Sequence, residues 1–92
     1  MPLGKADTIK VIIEYPLSIT ESPIALAVGR EIYAQRKKLR MTQERFAELV
    51  GLSKNYIGNL ERGEYEISLS RLEQIGKALG IKASGLLKNA GR

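Results

Sequence analysis

The stretch from Met41 to Gly63, MTQERFAELVGLSKNYIGNLERG, limits the fold more than any other part of the chain. It holds two apolar-periodic segments joined by Gly51-Leu52-Ser53. Each segment is about eight residues long, and helices below about a dozen residues are marginal alone in water. Both must be held by packing, and the rest of the chain must supply the partners. Thr42 is placed to cap the first segment, with Glu44 in the first turn where the helix dipole favours an acid. Its inward stripe is Phe46, Ala47 and Val50, and Gly51 suits the left-handed residue that ends a helix sharply. Ser53 can cap the second segment, whose inward residues are Ile57, Leu60 and Glu61. Lys54, Asn55, Gly58 and Asn59 are left on the opposite face, and Arg62-Gly63 stops the helix.

The partners are legible on either side. Ser22-Pro23 is a helix entrance, with Ser at the cap and Pro at the first helical position. Ile24, Val28, Ile32, Arg36 and Leu39 then recur on one face, so an ion pair or hydrogen bond is expected where Arg36 interrupts the apolar row. A fourth helix is expected from about Leu69 to Leu79, with Leu69, Leu72, Ile75 and Leu79 inward. Its cap is open between Ser68 and Ser70, the latter making a capping box with Glu73. Gly80 closes it, Ile81 to Leu87 form a last short turn or helix, and residues 89–92 are expected to fray. Residues 1–22 differ in character: Ile9 to Tyr15 reads as a β-strand ended by Pro16. The partition is therefore an arm over 1–22, a domain over 23–88 and a tail over 89–92.

Cysteine and histidine are both absent, which removes disulfides, thiolate nucleophiles, zinc-finger ligands and imidazole catalysis. No metal, cofactor or catalytic residue is expected, and no enzyme. The longest early apolar run, Val11-Ile12-Ile13, is too short for a signal-peptide core or a membrane span, so a cytoplasmic location is expected. The formal charge is +5. Residues 30–62 carry eight Lys and Arg against four Glu, so most of the surplus sits around the paired segments, which suits a polyanion partner.

Two short helices packed so that the second stands proud make a helix-turn-helix, here over residues 42–62. Such a motif places its second helix in the DNA major groove and its first across the backbone. From Val28 to Leu87 the chain resembles the helix-turn-helix regulators of the xenobiotic-response-element type, which include phage Cro and repressor domains and restriction-modification controller proteins. The resemblance rests on Arg36 and Leu39, TQERFAELVGLS, YIGNLERG, SLSRLEQIGKALGI and Leu86-Leu87 taken together. It implies a mainly α, compact four- to five-helix Cro/repressor-like domain, to which the arm adds a short β-strand.

By that resemblance, Gln43 holds a DNA phosphate and braces the recognition helix, about residues 54–61. Lys54, Asn55 and Asn59 match the base-reading positions, and Tyr56, Arg62, Arg45 and Arg40 are candidate backbone contacts. The chemistry agrees, since Lys donates to guanine O6 and N7 and Asn pairs bidentately with adenine. Gly58 lowers helix propensity by roughly 1 kcal/mol against Ala, and its absent side chain suits a close approach to the groove. Arg36 and Glu61 match a buried structural ion pair. Two features depart from the family: Glu64-Tyr65-Glu66 stands where basic residues are common, and Ile67 stands where proline is common.

The expected function is a sequence-specific transcriptional regulator that binds double-stranded DNA as a homodimer on a palindromic operator. Alternatives are the antitoxin of a toxin-antitoxin pair, with a toxin as protein partner, and an interaction module that keeps the fold without reading DNA. The dimer is expected through the Ile9–Tyr15 strand, through Ile81, Leu86 and Leu87, or through both.

Overall fold

The structure, a computed structural model, describes residues 22–92. The strand expected at Ile9–Tyr15, and the subunit contact assigned to it, lie outside the described residues. Within them are five helices: α1 (Pro23–Lys38), α2 (Gln43–Val50), α3 (Lys54–Glu61), α4 (Leu69–Leu79) and α5 (Ala83–Asn89). No described helix is long and apolar enough to cross a membrane.

Each of the first four helices begins on a side-chain cap. Ser22, Thr42, Ser53 and Ser68 accept hydrogen bonds from the backbone N–H groups of Ala25, Arg45, Tyr56 and Arg71. This satisfies one of the donors that every helix start leaves unpaired. The α4 cap is thus Ser68, and the Ser70–Glu73 capping box does not form. Each helix also ends on a left-handed residue followed by a backbone bond that reaches back five positions, as Leu52 N–H to Ala47 O (2.9 Å) and Ile81 N–H to Gly76 O (2.9 Å). At α1 this left-handed residue is Arg40 (φ 59°), at the others glycine. The tail expected to fray carries the same closure: Asn89 is still helical, and Arg92 N–H donates to Leu87 O at 2.8 Å.

The core is one cluster drawn from all five helices: Val28 and Ile32 of α1, Phe46, Ala47 and Val50 of α2, Ile57 and Leu60 of α3, Leu72, Ile75 and Leu79 of α4, and Leu86 of α5. α1 packs on α3 and α5, α2 on α3 and α4, and α4 on α5. Burying a side chain of this size contributes roughly 1.5–3 kcal/mol, which is what holds helices too short to stand alone. Gln74 of α4 adds a polar tie, donating from Nε2 to the end carbonyl of α2, Val50 O, at 2.6 Å.

Three residues expected to point inward are exposed: Ile24 (43%), Leu39 (48%) and Leu69 (80%). The buried side of α1 is centred on Ile32 with Ala25, Val28, Gly29 and Arg36 around it, and Ile24 lies about a quarter-turn off that centre. Leu39 is the residue after the last helical one, and Leu69 is the first of α4, where no neighbouring helix covers it. Leu86 is fully buried, so of the expected C-terminal subunit contact only the half-buried Ile81 and Leu87 remain available.

α1 approaches α3 closely at Gly29. A Cβ there would lie 2.2 Å from Leu60 O, so only glycine lets the two backbones meet.

Candidate nucleic-acid interface

Glu61 closes the inner side of α3. Its two oxygens accept from Arg36 Nε at 2.6 Å and Nη2 at 3.0 Å, a bidentate pair with both residues buried (6% and 7% exposed). Arg36 Nη1 also donates to Met41 O at 2.6 Å, tying down the chain between α1 and α2. The guanidinium pKa is raised, first by the hydrogen bond to Glu61; burial opposes this and the Glu61 charge adds to it. A charge this buried is stable only when its partners use its donors, as they do here.

The same carboxylate carries the pair outward. Gln43, the first residue of α2, donates from Nε2 to Glu61 Oε1 at 3.0 Å and so lies across α3. Gly58, expected on the open face of α3, is buried beside these side chains. A Cβ there would meet Gln43 Nε2 at 3.6 Å, an ordinary contact, and the mobile end of Arg62 at 3.3 Å, so the brace does not depend on glycine at this position.

Gln43, Lys54, Asn55, Gly58, Asn59 and Arg62 line one shallow polar depression. Five residues selected from the sequence are therefore brought together: the base-reading candidates Lys54, Asn55 and Asn59, with Gln43 and Arg62 at the sides. Lys54 and Asn55 are exposed at the start of α3. Arg40, Arg45 and Tyr56 do not line the depression. Arg40 sits exposed after α1, and Arg45 is exposed on α2 and paired with Glu48 at 3.2 Å. Tyr56 is half-buried, its ring stacked on Tyr65 (5.7 Å between centroids, 21° between planes) with the Arg71 guanidinium 5.4 Å away.

The acidic loop after α3 behaves differently from what its composition suggests. Glu64 accepts from Arg62 Nε at 2.8 Å, which offsets its charge and raises the Arg62 pKa. Arg62 Nη2 in turn donates to Asn59 Oδ1, while Asn59 Nδ2 donates to Tyr65 Oη at 3.0 Å. Sequence reasoning missed this chain of contacts. Asn59 and Arg62 are spaced to meet on one helix face, but nothing periodic marks Tyr65 or Glu64, which lie in a loop.

Comparison with known proteins settles the family. The model of the helix-turn-helix family HTH_3 matches residues 32–86. The chain belongs to this family. Its members are DNA-binding regulators of the Cro and phage-repressor type, as the resemblance implied. Among relatives, it is 42% identical over 62 residues to the immunity repressor protein of Bacillus phage phi105, covering 67% of this chain and 43% of that protein. It is 38% identical to the control protein C.BamHI of Bacillus amyloliquefaciens, over 70% of this chain and 80% of that one. Among solved structures it is similar to the clp gene regulator ClgR from C. glutamicum, with TM-score 0.73 and 29% identity, covering 78% of this chain and 92% of that one. The chain thus spans less than half of the phage repressor, but most of the control protein and of ClgR.

Proposed function

We propose that the chain is a sequence-specific transcriptional regulator that reads a palindromic operator as a homodimer, with α3 in the major groove. The observation that carries this reading is the polar depression on α3. Lys54, Asn55 and Asn59 face outward on a helix whose inner side is pinned by Arg36 and Glu61, and Gln43 is held beside them at the start of α2. Lys54 suits guanine, and Asn55 and Asn59 suit adenine. Gln43 meets a phosphate at the α2 N-terminus, where the helix dipole and free N–H groups favour an anion. Tyr56, Arg45 and Arg40 supply further backbone contacts. In the acidic loop after α3, Glu64 is offset by Arg62, so that carboxylate no longer argues against a phosphate backbone nearby.

One α3 reads only a half-site, so a two-fold partner is needed to place a second recognition helix about 34 Å away. The exposed Ile24, Leu26 and Leu69, with Ile81 and Leu87, supply apolar surface for such a partner, and the Ile9–Tyr15 segment is a second candidate. Selection of bound sequences from random duplex tests the reading. A two-fold symmetric consensus supports it; recovery of unenriched sequence, or binding whose salt dependence is shallow, overturns it. Deleting residues 1–16 and measuring sedimentation then assigns the subunit contact, since loss of the dimer points to the arm and retention to the apolar residues of the domain.

A further inference from the structure

We propose that the Glu64–Arg62 pair fixes which way round the Asn59 amide faces while Tyr65 anchors its other end, so that base preference under Asn59 is set by the loop between α3 and α4. This deepens the proposed function and rests on it. An asparagine amide has a donor end and an acceptor end of nearly equal size, and a free one can exchange them by a half-turn of the side chain. Its donor–acceptor order, which is what a base edge senses, is then undefined.

Asn59 is not free. Arg62 is donor-only, so the atom it faces must be the carbonyl, and Arg62 Nη2 does donate to Asn59 Oδ1. Turning the amide over would set its NH2 group against a guanidinium donor. Glu64 holds Arg62 in place by accepting from Nε at 2.8 Å. At the other end Tyr65 Oη accepts from Asn59 Nδ2 at 3.0 Å, and the stack on Tyr56 positions the Tyr65 ring. An amide offers two N–H donors and two carbonyl lone pairs. After Tyr65 and Arg62 have each taken one, a single donor and a single acceptor remain. That is the complement of adenine, which presents N7 as acceptor and N6 as donor; guanine presents two acceptors and is refused by the carbonyl. Arg62, with its charge matched by Glu64, acts here as a positioning residue rather than as a phosphate contact.

The test uses the full chain and the operator obtained by selection. Tyr65→Phe keeps the ring and removes the hydroxyl; the double variant Arg62→Gln with Glu64→Gln keeps the net charge and removes the donor-only partner. Both are expected to lower the preference for adenine at the base pair under Asn59 by roughly tenfold, the scale of one bidentate base contact. Neither should change it in an Asn59→Ala background, because the effect passes through Asn59. The salt dependence of binding should be unchanged in the double variant. Full adenine preference in both variants, each folded by circular dichroism, overturns the proposal while leaving the DNA-binding reading intact. A salt slope lower by about one in the double variant also overturns it, since Arg62 would then be neutralising a phosphate. Absence of any sequence preference in the wild-type protein removes both the reading and the proposal.

Discussion

Gln43 Nε2 lies 3.0 Å from Glu61 Oε1, so the first residue of α2 is bonded to the last residue of α3. Glu61 is also the partner of Arg36 from α1, at 2.6 Å. One buried carboxylate therefore joins three helices, and the angle between the two arms of the helix-turn-helix depends on it.

Breaking the pair from one side should be costly. Arg36→Met strands Glu61 in the interior and is expected to destabilise by about 3–5 kcal/mol, whereas Arg36→Met with Glu61→Leu recovers much of the loss. Thermal melts of the single and double variants check this. The Arg36 pKa is higher in the folded chain than in the unfolded one. The group therefore contributes its full stability below the unfolded pKa and loses it only as pH rises through the folded value. Arg36 itself should add no pH dependence across the neutral range, and any decline it causes belongs to strong alkali.

Gln43 and Asn55 should fail differently. Gln43→Ala is expected to weaken binding to specific and random duplex alike, with a stability loss of about 1 kcal/mol from the lost bond to Glu61. Asn55→Ala should cost about 1–3 kcal/mol on the selected site alone and relax choice at one base pair. Competition binding against operator and random duplex separates the two; equal losses on both sequences for Asn55→Ala would remove it from the reading set.

Gly29→Ala tests the α1–α3 contact. Alanine is favoured over glycine in a helix by about 1 kcal/mol. Against this, a Cβ at position 29 meets Leu60 O at 2.2 Å and must push the helices apart. Overpacking of this kind costs about 1–3 kcal/mol and sometimes more, so the variant should be less stable in urea titration. A more stable Gly29→Ala protein would mean that α1 and α3 are not in backbone contact.

Arg40→Gly should do the opposite. Arg40 holds a left-handed conformation (φ 59°) that costs a side-chain-bearing residue about 1–2 kcal/mol. Glycine relieves this but is freer in the unfolded chain, leaving a net gain of roughly 0.5–1 kcal/mol. With Arg40 on the DNA backbone, the same variant should bind with a salt slope shallower by about 0.9. Melting and salt titration read the two effects independently.

The fold was largely legible because its signals are local. Caps at Thr42 and Ser53 and the stop at Gly51 are sequence-adjacent features, and the inward charges Arg36 and Glu61 both fell on apolar faces where only a mutual pair can be tolerated. Two of the misplacements came from helix ends. Leu39 and Leu69 continue a periodic row past the point where a neighbouring helix covers it, and periodicity cannot show where the neighbour stops. Ser68 and Ser70 offered two caps of equal chemistry, and only the packing of α4 selects one. That Lys54, Asn55 and Asn59 line one depression was legible because helical spacing reveals a shared face. The Tyr65–Asn59 bond and the burial of Gly58 were not, because each depends on a loop or a second helix folding over the first.

The closures at both ends of the two-turn α3 bear on how this surface can change over time. Ser53 fixes where the helix begins, and Gly63, with Glu64 N–H donating to Asn59 O at 3.0 Å, fixes where it ends. No slack exists to absorb an inserted or deleted residue, which would turn every later side chain by about 100° and carry Asn59 off the outer face. If α3 reads DNA as proposed, new operators are reached by exchanging letters at positions 54, 55 and 59 and in the loop proposed to orient the last of them, not by altering the length of the word.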